Sequence, residues 1–264
     1  MGLFNTAKAQ LSGQKALRAH MAGNRLCDDA KAKEATEKYR EALRFYEQAL
    51  ALPGQKPNVY RGYAILLLRM GELDKAHDVM QQMRGLRDMT DDDWFQLRIN
   101  YSVYLWKTGD LDKAIETIGR AAKEKLNATV YTTMGIYLVD QARQTGDFTA
   151  VQEFNRQAMD YDDEDAGTLD NMGAMYEAMA DHARAAGDVD KAADCRAQAL
   201  DYYKKAHDAK PRQITSTYAL AQMLHENGDD AAAREVLEDA EDLFFSGVCP
   251  VRPEMMEKLR KEVG

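Results

Sequence analysis

The side chains that most often do chemistry in proteins are scattered along this chain. The five histidines are isolated, without the paired spacing that a metal site on a helix needs. The three cysteines, Cys27, Cys195 and Cys249, lie far apart and are odd in number, which predicts reduced, unpaired thiols. The sequence has no nucleophile motif, phosphate loop or dinucleotide fingerprint. We therefore predict that the protein is not an enzyme and has no catalytic residues, no metal site and no cofactor.

The acidic run Asp160–Asp165 has only a superficial likeness to a calcium-binding loop. Such a loop has glycine at its sixth position and glutamate at its twelfth, whereas this chain has Asp165 and Asn171 there. We interpret the run as a solvated loop that leads into a helix N-terminus. Asp91–Asp93 has the same interpretation, with Thr90 as the N-cap.

Charge and hydropathy exclude several classes of partner. A net charge of −9 disfavours a broad phosphate-binding surface, because nucleic-acid affinity depends on Lys and Arg. No apolar run approaches the roughly 18 residues that span a bilayer. The N-terminus also lacks the continuous apolar core of a secretory signal. We expect a soluble cytoplasmic protein that neither binds nucleic acid nor inserts stably into a membrane.

The N-terminal segment, residues 1–25, is basic. It contains no Asp or Glu, and its charged residues are Lys8, Lys15, Arg18 and Arg25. If it is helical, one side carries Leu3, Phe4, Ala7 and Leu11. Such segments bind anionic membranes or acidic grooves, and Met1–Thr6 matches the myristoylation pattern. The alternative, an N-terminal cap of the fold, is the one we favour.

One six-residue pattern recurs along the chain. Gly71–Ala76 returns as Gly109–Ala114 and Gly187–Ala192, and weaker copies begin at Gly146 and Gly228. Successive glycines are 37 to 41 residues apart. Glycine accepts the positive φ of a tight turn after a helix, and the acidic residue that follows suits the next helix's N-terminus. Apolar residues at helical spacing lie on both sides of each glycine, which predicts an all-α solenoid of helical hairpins.

These residues resemble tetratricopeptide repeats. The resemblance covers at least 57–244 as five repeats, and a sixth, irregular repeat is predicted before them. It implies an all-α, right-handed superhelical solenoid of about six helix-turn-helix repeats in a single domain, 1–264. Residues 250–264 are expected to form a capping helix, with Met255, Met256, Leu259 and Val263 on one side. The Gly-Leu-Phe opening before a basic stretch is similar to that of small bacterial tetratricopeptide proteins.

Two repeats depart from the usual length. The first has about ten to fourteen extra residues between its two apolar patterns, which leaves its helix boundaries uncertain. The fifth has Asp181–Ala186 before its turn glycine, and its second helix continues in register to Ala206. Matched additions of about two turns on both helices would keep that hairpin flush.

The first helices of the repeats carry a second stripe beside the core stripe, and the resemblance implies that this stripe faces a concave, ligand-binding surface. The apolar part of the predicted groove is Arg61, Ile65, Leu68, Ile99, Val103, Trp106, Thr132, Ile136 and Val139. The polar part is Asp170, Glu177, Tyr218, Gln222 and His225. A partner could thus be apolar at one end and cationic at the other. The alternatives are that neighbouring first helices or the N-terminal segment cover the apolar stripe, and that the polar part is an ordinary solvated face.

The function that follows is a non-catalytic scaffold that binds a peptide or helix of a partner protein in its groove. Some members of the family hold a C-terminal carboxylate with Lys and Asn. Here Asn100 occupies one such position, but Ile65, Thr129 and Thr133 replace its partners, so a chaperone-tail clamp is not expected. Two alternatives remain open: a self-associating structural subunit, with a possible homodimer, and a membrane-peripheral adaptor tethered by residues 1–25.

Overall fold

The computed structural model describes the backbone of residues 2–264 and the side chains of residues 8–264. Over these residues the chain forms thirteen α-helices and no strand, which confirms the all-α prediction. The helices are α1 (Gly2–Asp28), α2 (Ala32–Leu50), α3 (Pro57–Met70), α4 (Leu73–Arg84), α5 (Asp91–Lys107), α6 (Leu111–Glu124), α7 (Ala128–Thr145), α8 (Thr149–Tyr161), α9 (Ala166–Ala185), α10 (Val189–Ala209), α11 (Ile214–Glu226), α12 (Asp230–Glu238) and α13 (Pro253–Val263).

The recurring glycines end the first helix of each repeat as the sequence predicts. Gly71, Gly109, Gly146, Gly187 and Gly228 have φ angles from +75° to +89°. A residue with a Cβ is strained in this left-handed region, so the repeated glycine is a requirement of the turn. The spacing of the glycines therefore sets the period of the helical hairpins.

The chain divides into two compact units. Unit 1 consists of residues 2–110 together with Asp242–Cys249, which we call the returning segment. In this unit α1 packs along α2 and α3 packs along α4, while α3 also contacts α1, α2 and α5. The largest side chains of its core are Tyr39, Tyr46, Leu66, Leu67, Met80 and Met83.

The extra residues of the irregular first repeat lengthen both of its helices. Helix α1 has 27 residues and continues to Asp28, and α2 begins at Ala32 after a short turn. Most of the extra residues of the first repeat are thus helical, and residues 29–31 form the turn between the two helices. Leu3, Phe4 and Ala7, predicted to form an apolar side, lie outside the described side chains, as does the Met1–Thr6 pattern.

Unit 2 consists of Leu111–Glu241 and Pro250–Gly264. Its longest hairpin joins α9, with 20 residues, to α10, with 21, so the predicted matched lengthening of the fifth repeat is confirmed. Helix α13 packs on α12 and α11 and buries Met256, Leu259 and Val263, as expected of a capping helix. Met255 stays exposed.

Two helices begin where acidic residues predicted a helix N-terminus, and Thr90 is the N-cap expected of one of them. The Thr90 side chain accepts a hydrogen bond from the Asp93 amide, and the Asp93 carboxylate accepts one from the Thr90 amide. This reciprocal pair is a capping box. At the end of the acidic run, the Asp165 side chain accepts from the Thr168 amide and begins α9. The acidic residues therefore act at helix N-termini, where negative charge is stabilising.

Candidate partner-binding faces of the first helices

The predicted groove residues fall partly in unit 1 and partly in unit 2. The unit 1 face consists of one row on α3 and one on α5, two helices that pack side by side. Its residues are Arg61, Ile65, Leu68, Ile99, Val103 and Trp106. The helical period places each row along one side of its helix. Pro57 is the first residue of α3, and its fixed φ already suits a helix.

Only part of the unit 1 face is available to a partner. Leu68 is 4% exposed and belongs to the unit 1 core, and Ile99 is 5% exposed. Ile65, Val103 and Trp106 remain partly exposed. The face therefore presents separate apolar side chains above a filled core, and an apolar partner would cover those three.

Charged groups border the unit 1 face. An Arg61 guanidinium nitrogen lies 3.3 Å from Oδ2 of Asp92, which joins the starts of α3 and α5. The Lys107 ammonium lies 5.0 Å from the centre of the Trp106 ring. A cation over an indole face is attracted by its electron-rich surface, so Lys107 shields part of this ring from water.

The unit 2 face consists of positions on α7, α9 and α11: Thr132, Ile136, Val139, Asp170, Glu177, Tyr218, Gln222 and His225. Val139 is buried in the unit 2 core, while Ile136 and Thr132 are partly exposed. The Thr132 hydroxyl donates to the Asp165 carboxylate at 3.4 Å. The N-terminal half of α7 thus presents both polar and apolar side chains. The acidic residues of this face lie on α9.

Asp170 is the most perturbed acidic group of the unit 2 face. It is partly accessible, yet protein surrounds its carboxylate, and this desolvation raises its pKa to about 6. Hydrogen bonds from Thr215 and Gln213 act in the opposite direction, and the Thr215 hydroxyl lies 2.7 Å from Oδ2. Nearby Glu177 raises the pKa further. Neighbouring protein thus replaces much of the water around this carboxylate.

Glu177 lies two turns beyond Asp170 on α9 and is held from two sides. Its Oε2 accepts a hydrogen bond from the Tyr203 hydroxyl at 2.9 Å and another from Arg143 at 3.2 Å. Arg143 also lies 3.4 Å from Asp140 on its own helix. Burial raises the pKa of Tyr203 well above its ordinary value, so this phenol stays a donor.

Helix α11 contributes three uncharged or weakly basic groups to the unit 2 face. Tyr218 is partly exposed, and burial raises the pKa of its phenol. Gln222 donates to Glu226 at 3.0 Å, and Nδ1 of His225 lies 2.6 Å from Oδ1 of Asp230. All three predicted residues share one side of the helix, and the charges of Glu177 on α9 and of Lys258 and Glu262 on α13 act on the Tyr218 phenol.

Models of the tetratricopeptide repeat match residues 35–98 and residues 171–244. These matches fall in both units and include the turn glycines Gly71, Gly187 and Gly228. The chain belongs to the tetratricopeptide repeat family. No curated protein sequence matches it.

Solved tetratricopeptide structures share the fold at low identity. Human IFIT1, in a structure described as a dimer with PPP-AAAA, is 17% identical with a TM-score of 0.61 over 85% of this chain. This chain spans 49% of that IFIT1 chain. A thermophilic protein from Thermus thermophilus is 20% identical (TM-score 0.51, 64% of this chain and 83% of that one). A protein from Parabacteroides merdae is 12% identical (TM-score 0.50, 95% and 86%). At these identities the likeness shows the fold alone.

Tetratricopeptide repeats in general mediate contacts between proteins and are not catalytic. Among the described residues, no group of three or more His, Cys, Asp or Glu side chains is placed to hold a metal ion. None of the described helices is both long enough and apolar enough to cross a bilayer.

Several side chains of the tetratricopeptide faces were not found from the sequence. Arg143 lies one turn beyond Val139 on α7, and Thr215 lies three residues before Tyr218 on α11, so helical spacing alone could have added both. Tyr203 lies on a second helix and reaches Glu177 across the long hairpin. No local sequence pattern signals that contact.

Proposed function

We propose that the protein is a non-catalytic scaffold that binds a peptide or helix of a partner protein along its first helices. The unit 2 face receives a cationic side chain of the partner, and the unit 1 face receives apolar side chains. The family supports the general part of this proposal, because tetratricopeptide repeats commonly serve as protein-binding modules. The charge and exposure of individual side chains support the specific part.

The observation that carries the proposal is the desolvated carboxylate of Asp170. Its raised pKa means that the folded state disfavours the charge at neutral pH, so this side chain makes the fold less stable. A neutral residue at the same place would avoid that penalty. A guanidinium or ammonium group binds well to a partly accessible carboxylate, because the charged hydrogen bond is strong where water is scarce.

The charges around Asp170 favour a cation over an anion. Glu177 and Asp140 are acidic, and one basic group, Arg143, lies between them. The IFIT1 structure is described with PPP-AAAA, but a phosphate chain would meet repulsion at this acidic face. The net charge of −9 acts in the same direction at longer range. We therefore propose a protein partner with Lys or Arg side chains.

The proposal is tested by affinity capture followed by measured binding of the captured partner. The immobilised proteins are the wild type, Asp170→Asn with Glu177→Gln, Val103→Glu with Trp106→Glu, and Asp208→Asn. Asp208 is an exposed acid of α10 outside both faces, so its variant controls for the loss of one charge. Circular dichroism first establishes that all four proteins are equally helical.

We expect the wild type and the Asp208→Asn control to capture the same partner. Either double variant should bind it at least tenfold more weakly. Asp170→Asn with Glu177→Gln loses hydrogen bonds to charged groups, which contribute about 1.5–3 kcal/mol each. Val103→Glu with Trp106→Glu places carboxylates where apolar side chains of the partner would pack. Raising the salt concentration should weaken wild-type binding more than binding by the variant with Asp170→Asn and Glu177→Gln. Identical binding by all four proteins would contradict the use of these faces.

Helix α1 supports one contrasting possibility, contact through the N-terminal segment. Leu11 and Met21 are 54% and 56% exposed, and Lys8, Lys15, Arg18 and Arg25 are exposed as well. This mixture suits either an anionic lipid surface or a second copy of the chain. Because Ala9, Ala16 and His20 of this helix are buried, deletion of residues 1–25 would damage the core.

Lys8→Glu with Lys15→Glu is therefore the better variant for that test. If α1 tethers the protein, this variant should no longer sediment with liposomes containing anionic lipid. If the chain self-associates, light scattering should show a mass that rises with concentration. A protein that stays a monomer at every concentration and does not sediment with liposomes would exclude both self-association and membrane tethering.

A further inference from the structure

The returning segment, Asp242–Cys249, crosses the edge of unit 1 on which two helix turns lie. At one end, the Asp242 carbonyl accepts a hydrogen bond from the Ala32 amide at 3.1 Å, beside the α1–α2 turn. At the other end, the Gly247 amide donates to the Arg69 carbonyl at 2.7 Å, beside the α3–α4 turn. Between these points the segment forms neither helix nor strand.

The Gly247 amide satisfies a helix terminus. Arg69 lies in the last turn of α3, where carbonyl groups have no partner within the helix. The Ser246 hydroxyl donates to the same carbonyl at 3.4 Å. A segment distant in sequence thus supplies the capping donors, in the manner of a bound peptide rather than of the helix's own continuation.

Phe244 anchors the middle of the segment. Its ring meets the edge of the Tyr39 ring with centroids 5.1 Å apart. The Arg69 guanidinium lies 5.5 Å from the Tyr39 centroid and 5.9 Å from that of Phe244, and one of its nitrogens donates to Oδ1 of Asn24 at 2.7 Å. The Tyr39 hydroxyl donates to the same Asn24 oxygen at 2.8 Å. Tyr39 and Arg69 are therefore fixed by unit 1, and Phe244 is the group added to them.

Gly247 approaches α3 more closely than any other residue type could. A Cβ on Gly247 would lie 2.5 Å from the Gly71 Cα and 3.1 Å from the Leu68 carbonyl oxygen, and would also strike the Gly71 amide nitrogen. These are backbone atoms and cannot move aside. A Cβ built at the equivalent turns, Gly109 and Gly187, meets nothing within 4 Å. The returning segment thus covers the turn at Gly71, whereas the turns at Gly109 and Gly187 are uncovered.

The segment is weakly held by comparison with the helices beneath it. Leu243 is buried, whereas Phe244 to Cys249 are only partly buried and Asp242 is exposed. Asp242 also adopts a φ of +52°, which is strained for a residue with a Cβ. Segments with few buried groups open locally at a much lower free energy than global unfolding requires.

We propose that Tyr39, Arg69 and Gly71 form a peptide-binding site, the turn-edge site, and that the returning segment is its resident occupant. The partner that displaces it is an extended segment of another protein with an aromatic residue three positions before a glycine. The aromatic side chain takes the place of Phe244 on Tyr39 and Arg69, and the glycine amide caps α3. The returning segment is then an autoinhibitory element, since the site binds a partner only while the segment is open. This inference concerns other residues than the two faces above and does not rest on them.

The test uses the full-length chain and a fluorescent peptide with the sequence of residues 241–250, in which Cys249→Ser prevents oxidation. Gly247→Val in the protein prevents its own segment from docking. Gly119→Val is the matched control, because a Cβ at Gly119 in α6 meets nothing within 4 Å. Phe244→Ala releases the segment without a clash and serves as a second variant. Fluorescence anisotropy gives the dissociation constants.

We expect Gly247→Val and Phe244→Ala to bind the peptide at least tenfold more tightly than the wild type and the Gly119→Val control. A peptide carrying Gly247→Val should bind to none of them, because it cannot approach Gly71. Hydrogen exchange should show loss of protection over residues 242–249 in both releasing variants while the helices of unit 1 stay protected. Equal peptide binding by wild type and releasing variants, or no binding to any folded variant, would overturn the proposal.

Discussion

The Tyr203 hydroxyl donates a 2.9 Å hydrogen bond to Oε2 of Glu177, across the hairpin formed by α9 and α10. Tyr203 is almost fully buried, whereas Glu177 is partly exposed on the unit 2 face. The Arg143 guanidinium reaches the same oxygen from α7. Groups on two neighbouring helices thus fix this carboxylate, so the partner proposed above would order fewer side chains when it binds.

Tyr203→Phe should weaken this arrangement without disturbing the packing of the ring. It removes one hydrogen bond to a charged acceptor, and we expect the free energy of unfolding to fall by about 1–2 kcal/mol. Denaturant titration measures the change. Tyr161→Phe is the matched control, because Tyr161 is exposed, and its variant should match the wild type. If Tyr203→Phe leaves the free energy of unfolding unchanged, water replaces the Tyr203 hydroxyl as the donor to Glu177.

Gly173→Ala should be destabilising, because α9 meets the Tyr203 ring at this point. A Cβ on Gly173 would lie 2.6 to 2.9 Å from three atoms of that ring, which is itself buried in the hairpin. We expect a loss of about 1–3 kcal/mol, as for other overpacked cores.

Gly119→Ala provides the comparison for Gly173→Ala, since both replace a helical glycine. A Cβ at Gly119 is unobstructed, so alanine should raise stability there by up to about 1 kcal/mol through its helix propensity. Thermal unfolding of the two variants should therefore shift in opposite directions. A shift in the same direction would show that Tyr203 moves aside.

Asp170→Asn should stabilise the protein at pH 7. The folded-state pKa of Asp170, about 6, lies above the ordinary value of 3.8, so the penalty is fully present above pH 6 and disappears as the pH falls towards 4. We expect a gain of about 1–2 kcal/mol at pH 7 and little difference at pH 4, since Asn still accepts from Thr215. Urea titration at both pH values measures it. A less stable variant at pH 7 would show that the charge supports the fold and would weaken the proposed cation site.

His20 should make the wild type sensitive to mild acid. Burial, together with the nearby Arg69 charge, lowers the pKa of this imidazole from 6.5 to about 4. The unfolded chain then takes up a proton that the folded chain does not, so this contribution is present above pH 6.5 and is lost as the pH falls towards 4. We expect stability to fall by about 1.4 kcal/mol per pH unit within that window, relative to His20→Gln. Equal pH profiles of the two proteins between pH 6.5 and 5 would contradict a neutral, buried His20.

The repeat framework could be predicted from the sequence because each of its signals is local. A turn glycine such as Gly109 needs a positive φ wherever it occurs, and Thr90 caps α5 through Asp93, three residues away. The cap α13 is similarly marked by Pro253 and by apolar residues on one side. The helical pattern also placed Asp170 and Glu177 on one side of α9.

The remaining features depend on contacts between residues distant in sequence. The hydrogen bond between Gly247 and Arg69 joins positions that have no shared pattern, so the returning segment could not be anticipated. The sequence pattern also did not predict which residues of a stripe are buried. Leu68 and Val139 share a stripe with partly exposed neighbours but belong to the cores of their units. The role of the predicted face residues in partner binding stays a prediction.

The nearly equal lengths of α9 and α10, 20 and 21 residues, have a consequence for how this repeat can change. Because the two helices lie against each other along their whole length, loss of one turn from α9 alone would leave apolar residues of α10 facing water. We therefore expect the fold to tolerate a deletion in one helix only when the other helix loses a segment of similar length. The two helices of this hairpin should therefore lengthen or shorten together.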